Sequence, residues 1–302
     1  MILDLVTDRL RVFLWALSFV FPLECGQNRF DVRGAAPTAG AISSAPAAGV
    51  PPHQPLDAAP VAADALLPAL QAESWLIALP VEGFRDARVS VPLGAREARP
   101  VVVALHGAGD RPEWACGSWR GVTDAYPFVL CPTGEPGGLP DGFVWGNDSQ
   151  VEREVKASID ALRRRFGDHV AAGCSLLTGF SQGAIRMAPM LARGGGWCPQ
   201  AVLCEGAYDA LGKDFARAFV RWGGRRLLLG CSQSYCARIF RAREARLAAE
   251  RIDVKTVYSG ERTHNLNAEM VRTLHEAWPW LVRDDDRWSS FARSLARERK
   301  AE

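Results

Sequence analysis

The sequence predicts an α/β fold, a mostly parallel central sheet with helices on both faces, built as a single domain. Three observations predict it. Short apolar runs alternate with helical patterns from about residue 75 to residue 283, the signature of a parallel sheet covered on two sides. The run at residues 100–105 (PVVVAL) is continuously apolar, as a strand buried on both faces must be. The residues with chemical potential fall where such strands end, at the carboxyl edge where sites form in open α/β sheets.

The elements follow in order. Residues 75–81 and 88–93 read as an antiparallel entry to the sheet, and residues 100–105 as the first buried strand, ending in a Gly loop, His106-Gly107-Ala108-Gly109-Asp110. A short helix over residues 114–123 and a strand over 128–132 come next. A Gly/Pro loop over 133–146 contains Phe143 and Trp145. Ser149 and Glu152 have capping-box spacing and open a helix that carries Val151, Val155, Ile159, Leu162 and Phe166 on one face, with Gly167 as its stop. Strands are expected at residues 175–178, 201–204, 226–230 and 254–258, and helices at 214–222 and 238–251. A last helix places Met270, Leu274, Trp278 and Leu281 on one face, with Pro279 as an expected kink. Beyond residue 283 the chain is charged and reads as a loosely docked tail.

The chain divides into four parts. Residues 1–25 form a signal-like leader, in which Arg9 and Arg11 precede the apolar run 12–21, too short for a membrane span and suited to an export signal. Cys25 offers a lipidation site, although Glu24 stands where a small residue is expected. A mis-assigned start is the alternative. Residues 26–70 are rich in Ala, Pro, Gly and Ser and cannot bury enough apolar surface to offset ordering, so they read as a disordered tether. Residues 71–283 form the folded domain, and 284–302 the tail. Of 302 residues, 48% are hydrophobic, which is enough for a sizeable core, and the net charge of +2 argues against a nucleic-acid partner.

Eight cysteines in an exported protein point to bridges. Cys231 and Cys236 are placed to staple a loop. Cys116 and Cys131 bracket a helix. Cys174 and Cys198 lie at the same end of two neighbouring strands, and Cys204 is left over. No cysteine or histidine pair has metal-ligand spacing, so no metal is expected.

The chemistry centres on Gly179-Phe180-Ser181-Gln182-Gly183, a G-x-S-x-G turn between an apolar strand and a helix. Only small side chains fit two places before and after the serine of such a turn, which exposes its Oγ above the sheet. Serine needs a base within hydrogen-bond reach. Of the five histidines, His53 lies in the tether, His106 in the Gly loop, His169 at the opposite sheet end, and His275 inside a helix. His264 follows the last strand and is the base by elimination. The N–H groups of Gln182 and Ala108 are the expected donors to an oxyanion. The acid is open. The loop after residues 227–230 holds no carboxylate. Glu205 is the first choice and Asp209 the second; the third reading has no carboxylate, with Ser232 or Gln233 orienting the imidazole. Phe143, Trp145 and Tyr208 are candidate pocket or lid residues.

With these motifs the sequence resembles the α/β-hydrolase superfamily over residues 75–282. Its Gly loop and serine turn are similar to those of the carboxylesterase, phospholipase and acyl-protein thioesterase group, and of small esterases related to polyhydroxyalkanoate depolymerases. The resemblance implies ester or thioester hydrolysis without a cofactor. Two departures stand out: the acid loop is a cysteine-bracketed Ser/Gln segment, and Thr263 precedes His264 where glycine is usual. The expectation is therefore an exported serine hydrolase, secreted or held at the cell envelope by its leader, acting on a small-molecule or lipid-like ester. The alternative is the same fold kept as a binding or surface-interaction module.

Overall fold

The computed structural model describes residues 66–260 and 263–293. The leader and most of the Ala/Pro-rich stretch lie outside them. Two edge strands open the domain, β1 (Leu76–Leu79) and β2 (Ala87–Ser90), followed by β3 (Val101–Leu105), α1 (Pro112–Val122) and β4 (Phe128–Cys131). Within the Gly/Pro loop a two-strand hairpin forms, β5 (Glu135–Pro136) with β6 (Phe143–Val144). Then come α2 (Asp148–Phe166), β7 (Ser175–Phe180), α3 (Gln182–Arg193), β8 (Trp197–Cys204), α4 (Lys213–Arg221), β9 (Arg226–Cys231), α5 (Ser234–Ala249), β10 (Asp253–Tyr258) and α6 (Ala268–Val282).

The main sheet has the order β1-β2-β4-β3-β7-β8-β9-β10. β1 and β2 pair antiparallel, as does β2 with β4, and all later neighbours are parallel. Successive residues of the buried apolar runs face opposite helical layers. In β3, Val101, Val103 and Leu105 face the layer formed by α2 to α5, while Val102 and Ala104 face α1 and α6. A strand sandwiched between two helical layers has no solvent face, so the period-2 polar alternation disappears.

Several sequence expectations need correction. The cap of α2 is Asn147, whose side chain accepts the Gln150 N–H at 3.0 Å, two residues ahead of the expected Ser149. α5 begins at Ser234, not 238, directly after the cysteine loop. β8 begins at Trp197, not 201, and runs through Pro199. The chain beyond residue 283 is not loosely docked. Trp288 and Phe291 are each 1% exposed and pack with Trp278 against the α1/α6 layer. Aromatic anchors of this size dominate local packing energy, and the Arg287–Asp285 ion pair just before them is itself half-buried.

Three disulfides form, Cys116–Cys131, Cys174–Cys198 and Cys231–Cys236, and Cys204 is a buried free thiol. Such a set fits an oxidising environment. Among the described residues, no helix is long and apolar enough to cross a membrane.

Candidate active site

Register aligns the site. Phe180 of β7 pairs with Cys204 of β8, and Cys204 with Gly230 of β9. The next residue of each chain, Ser181, Glu205 and Cys231, therefore emerges at one level on the carboxyl edge. Leu105 of β3 pairs with Gly179, which brings His106 and the Gly loop to the same level.

Ser181 has φ 52° and ψ −117° and caps α3. That left-handed backbone is costly for a non-glycine residue and persists only where the surroundings enforce it. Here they do. A Cβ on Gly179 would stand 2.7 Å from the Ala184 nitrogen, and one on Gly183 would strike the Leu105 carbonyl. The Ser181 N–H donates to the Cys204 carbonyl at 2.9 Å. Turn and neighbouring strand thus fix the serine together.

His264 Nε2 lies 2.9 Å from Ser181 Oγ, and Nδ1 lies 3.2 Å from Glu205 Oε2. The imidazole side chain is 40% exposed, whereas the Glu205 side chain is fully buried. Glu205 also has a positive φ of 52°. Its Oε1 accepts the N–H of Ser232, the N–H of Gln233 at 3.0 Å and the Ser232 hydroxyl at 2.8 Å. Burial alone would push this carboxyl up. The bonds from His264, the Gln233 N–H, and the Ser232 hydroxyl and N–H outweigh it and hold the group below the usual carboxylate range. The loop that lacks a carboxylate thus supplies the donors that hold one from the neighbouring strand, and Ser232 and Gln233 act on Glu205 rather than on the imidazole. The Cys231–Cys236 bridge closes that loop. Asp209 is exposed, and no hydrogen bond or ion pair joins it to His264.

The N–H groups of Ala108 and Gln182 have no hydrogen-bond partner among the described residues. Gln182 follows Ser181 at the start of α3, and Ala108 lies in the Gly loop that β3 carries to the same edge of the sheet. The positive end of that helix favours negative charge here. Two residues clamp this region. The Trp145 N–H donates to Gln182 Oε1 at 2.9 Å, and Trp145 Nε1 donates to the His106 carbonyl at 2.7 Å. The Gly109 N–H donates to the Phe143 carbonyl at 2.8 Å. Trp145 is 3% exposed. It is a buttress of the Gly loop, not a pocket wall, and Phe143 serves the same loop through its backbone. Sequence reading missed this role; the tryptophan's place in a Gly/Pro loop next to a buried helix was its only sequence signal. Tyr208 packs on Phe240, with ring centroids 5.2 Å apart.

The remaining histidines among the described residues are occupied. His106 is buried, with Nδ1 2.7 Å from the Gly107 carbonyl and Nε2 2.9 Å from that of Thr133. His169 faces the Pro68 carbonyl, and His275 that of Val122. Glu205 lies close to the sulfurs of Cys231 and Cys236, but these are joined to each other and offer no thiolate to a metal.

A cavity of about 170 Å³ opens beside His264. Trp114 and Ala115 of α1, Phe180, Leu266 and the imidazole itself form most of its wall. These wall residues are not legible in the sequence, because α1 and the 264–266 loop meet only in the fold.

No family model matches the chain, and no curated protein matches it. Solved structures do. FphF, a fluorophosphonate-binding serine hydrolase of Staphylococcus aureus, superposes with a TM-score of 0.50 at 13% identity, covering 69% of this chain and 98% of its own. An uncharacterized protein from Bacillus cereus ATCC 10987 gives 0.50 at 15%, covering 64% of this chain and 62% of its own. The esterase PF2001 of Pyrococcus furiosus gives 0.48 at 13%, covering 72% and 96%. With the strand order and serine turn described above, the likeness to FphF gives the chain the α/β-hydrolase fold.

Proposed function

We propose that the protein is a serine hydrolase that cleaves a carboxylic ester through an acyl-enzyme. The observation that carries this reading is the unbroken relay Ser181–His264–Glu205, with contacts of 2.9 Å and 3.2 Å. Glu205, held as a carboxylate, accepts a hydrogen bond from Nδ1–H, which keeps that proton on Nδ1 and leaves Nε2 free to accept one from Ser181. Ser181 Oγ attacks the acyl carbon. The N–H groups of Gln182 and Ala108 donate hydrogen bonds to the oxyanion, an interaction worth about 10²–10³ in kcat per donor. Collapse of the tetrahedral adduct expels the alcohol, which takes its proton from Nε2. Water then enters by the reverse path, with His264 again as base.

The binding-module alternative rested on the missing carboxylate. Glu205 beside His264 removes that ground. The three disulfides favour an oxidising compartment. Together with the signal-like residues 1–25 they support export, with Cys25 as a possible site of a lipid tether, and a small-molecule or lipid-like ester as substrate.

The test is labelling by a fluorophosphonate probe, wild type beside Ser181→Ala. Labelling lost in the mutant is expected. A folded wild-type protein that takes no label refutes the assignment.

A further inference from the structure

We propose that the cavity beside His264 is the subsite for the alcohol half of the ester, and that it takes a neutral apolar group about the size of one ring. The proposal rests on the serine-hydrolase reading above and specifies its substrate. In acylation a bond forms from Ser181 Oγ to the acyl carbon, and the bond from that carbon to the alkoxy oxygen breaks. The departing oxygen takes the proton from His264 Nε2 and leaves as the alcohol. The alkoxy group must therefore lie against the imidazole. The imidazole is itself a wall of this cavity, and Asn265 and Leu266 continue that wall.

The lining sets the chemistry. Trp114, Ala115, Phe180 and Leu266 give an apolar surface, and the Phe180 ring stands 4.9 Å from the imidazole, centroid to centroid. Trp114 is 56% exposed, a large aromatic surface left uncovered at the cavity mouth. Uncovered apolar surface of this kind beside a reactive centre marks a binding site. Size follows from volume. An apolar cavity of about 150 Å³ holds a benzene ring, so about 170 Å³ holds one ring and little more. Charge also discriminates. Asp110, whose carboxylate accepts the Gly107 N–H at 3.1 Å, lines the same cavity, and an anionic alcohol would meet it.

The experiment uses the purified full chain and two ester series. One keeps the acetyl group and varies the alcohol through methyl, benzyl and naphthylmethyl, whose hydroxyls are of near-equal acidity. The other keeps methyl and lengthens the acyl chain. For wild type, kcat/KM is expected to favour benzyl over methyl by about tenfold, within the range of pocket discrimination for small apolar groups, and to fall again for naphthylmethyl. Ala115→Leu should reverse the benzyl preference. Trp114→Ala, at an exposed position that does not endanger folding, should raise naphthylmethyl relative to benzyl. In both variants the acyl profile should keep its order. A flat alcohol series in an enzyme that labels with fluorophosphonate overturns the subsite and leaves the hydrolase reading intact. The same holds if the variants reorder the acyl series instead. Absence of both labelling and turnover removes the hydrolase reading itself, and the subsite with it.

Discussion

Replacing Glu205 by glutamine tests the relay at its most informative atom. The amide is nearly isosteric, so packing is kept. One end of the carboxylate, Oε1, receives three donors: the Ser232 N–H, the Gln233 N–H and the Ser232 hydroxyl. The other end, Oε2, faces only His264 Nδ1. A glutamine must turn its oxygen toward the two fixed N–H groups, because an NH₂ there would leave buried donors opposed. Its NH₂ then faces Nδ1 and forces that nitrogen to accept. The proton moves to Nε2, which can no longer take one from Ser181. A wrong tautomer in a Ser-His-acid triad costs about 10⁴ in kcat, equivalent to ~5.4 kcal/mol at 1.36 kcal/mol per tenfold. The assay is steady-state turnover of a short-chain ester, with thermal unfolding as the control for folding. A Glu205→Gln enzyme within tenfold of wild type would refute the argument. The depressed carboxyl also gives a pH signature. In the window below its ordinary value of about 4.3, the native state binds fewer protons than the unfolded chain, so this group's contribution to stability is complete above that pH and is lost as pH falls through the lower folded value. The stability gap between wild type and Glu205→Gln should narrow on acidification through that window.

Three further outcomes are expected. Trp145→Phe keeps the ring but removes the Nε1 donor to the His106 carbonyl; kcat should fall roughly tenfold if the Gly loop relaxes by a fraction of an ångström, with KM little changed, as initial-rate kinetics will show. Replacing Cys231 and Cys236 together by serine opens a loop whose closure stabilises by about 2 kcal/mol on chain entropy; turnover should drop beyond what the lower Tm explains, because this loop carries all three donors to Glu205 Oε1. Ending the chain at residue 283 removes Trp288 and Phe291 from the core; loss of one large buried aromatic costs about 3–5 kcal/mol, so calorimetry should find the truncated protein strongly destabilised.

Much of this fold was legible because parallel strands buried on both faces leave uninterrupted apolar runs, as at residues 100–105. The serine turn was legible because its glycines are sterically required. His264 could be reached by elimination, since the other four histidines had evident places elsewhere. What could not be read depends on register. Glu205 was preferred to Asp209 only for its place at the end of a strand, and the pairing of Cys204 with Gly230 is what puts it under Ser232. Asn147 and Ser149 both have capping potential, and the choice falls to the one whose side chain meets the Gln150 N–H. The tail misled because its charges are contiguous, while the two aromatics that anchor it are spaced for packing and separated by polar residues. Trp145 was read as a pocket wall because aromatic residues in loops are ambiguous until their N–H finds an acceptor.

The Cys174–Cys198 bridge joins the residue before β7 to the second residue of β8. The reactive turn and the whole of α3 therefore lie inside one covalent ring. Parallel strands are slow to pair because their connecting segment must close before any pairing rewards it. In the oxidised chain that closure is already made, even when the protein is unfolded. The segment bearing Ser181 is thus expected to be among the first to recover its topology on refolding, and a protease cut anywhere between residues 175 and 197 would leave both pieces attached. The turn that carries Ser181 is thus a part of the domain that a cut inside the ring cannot release.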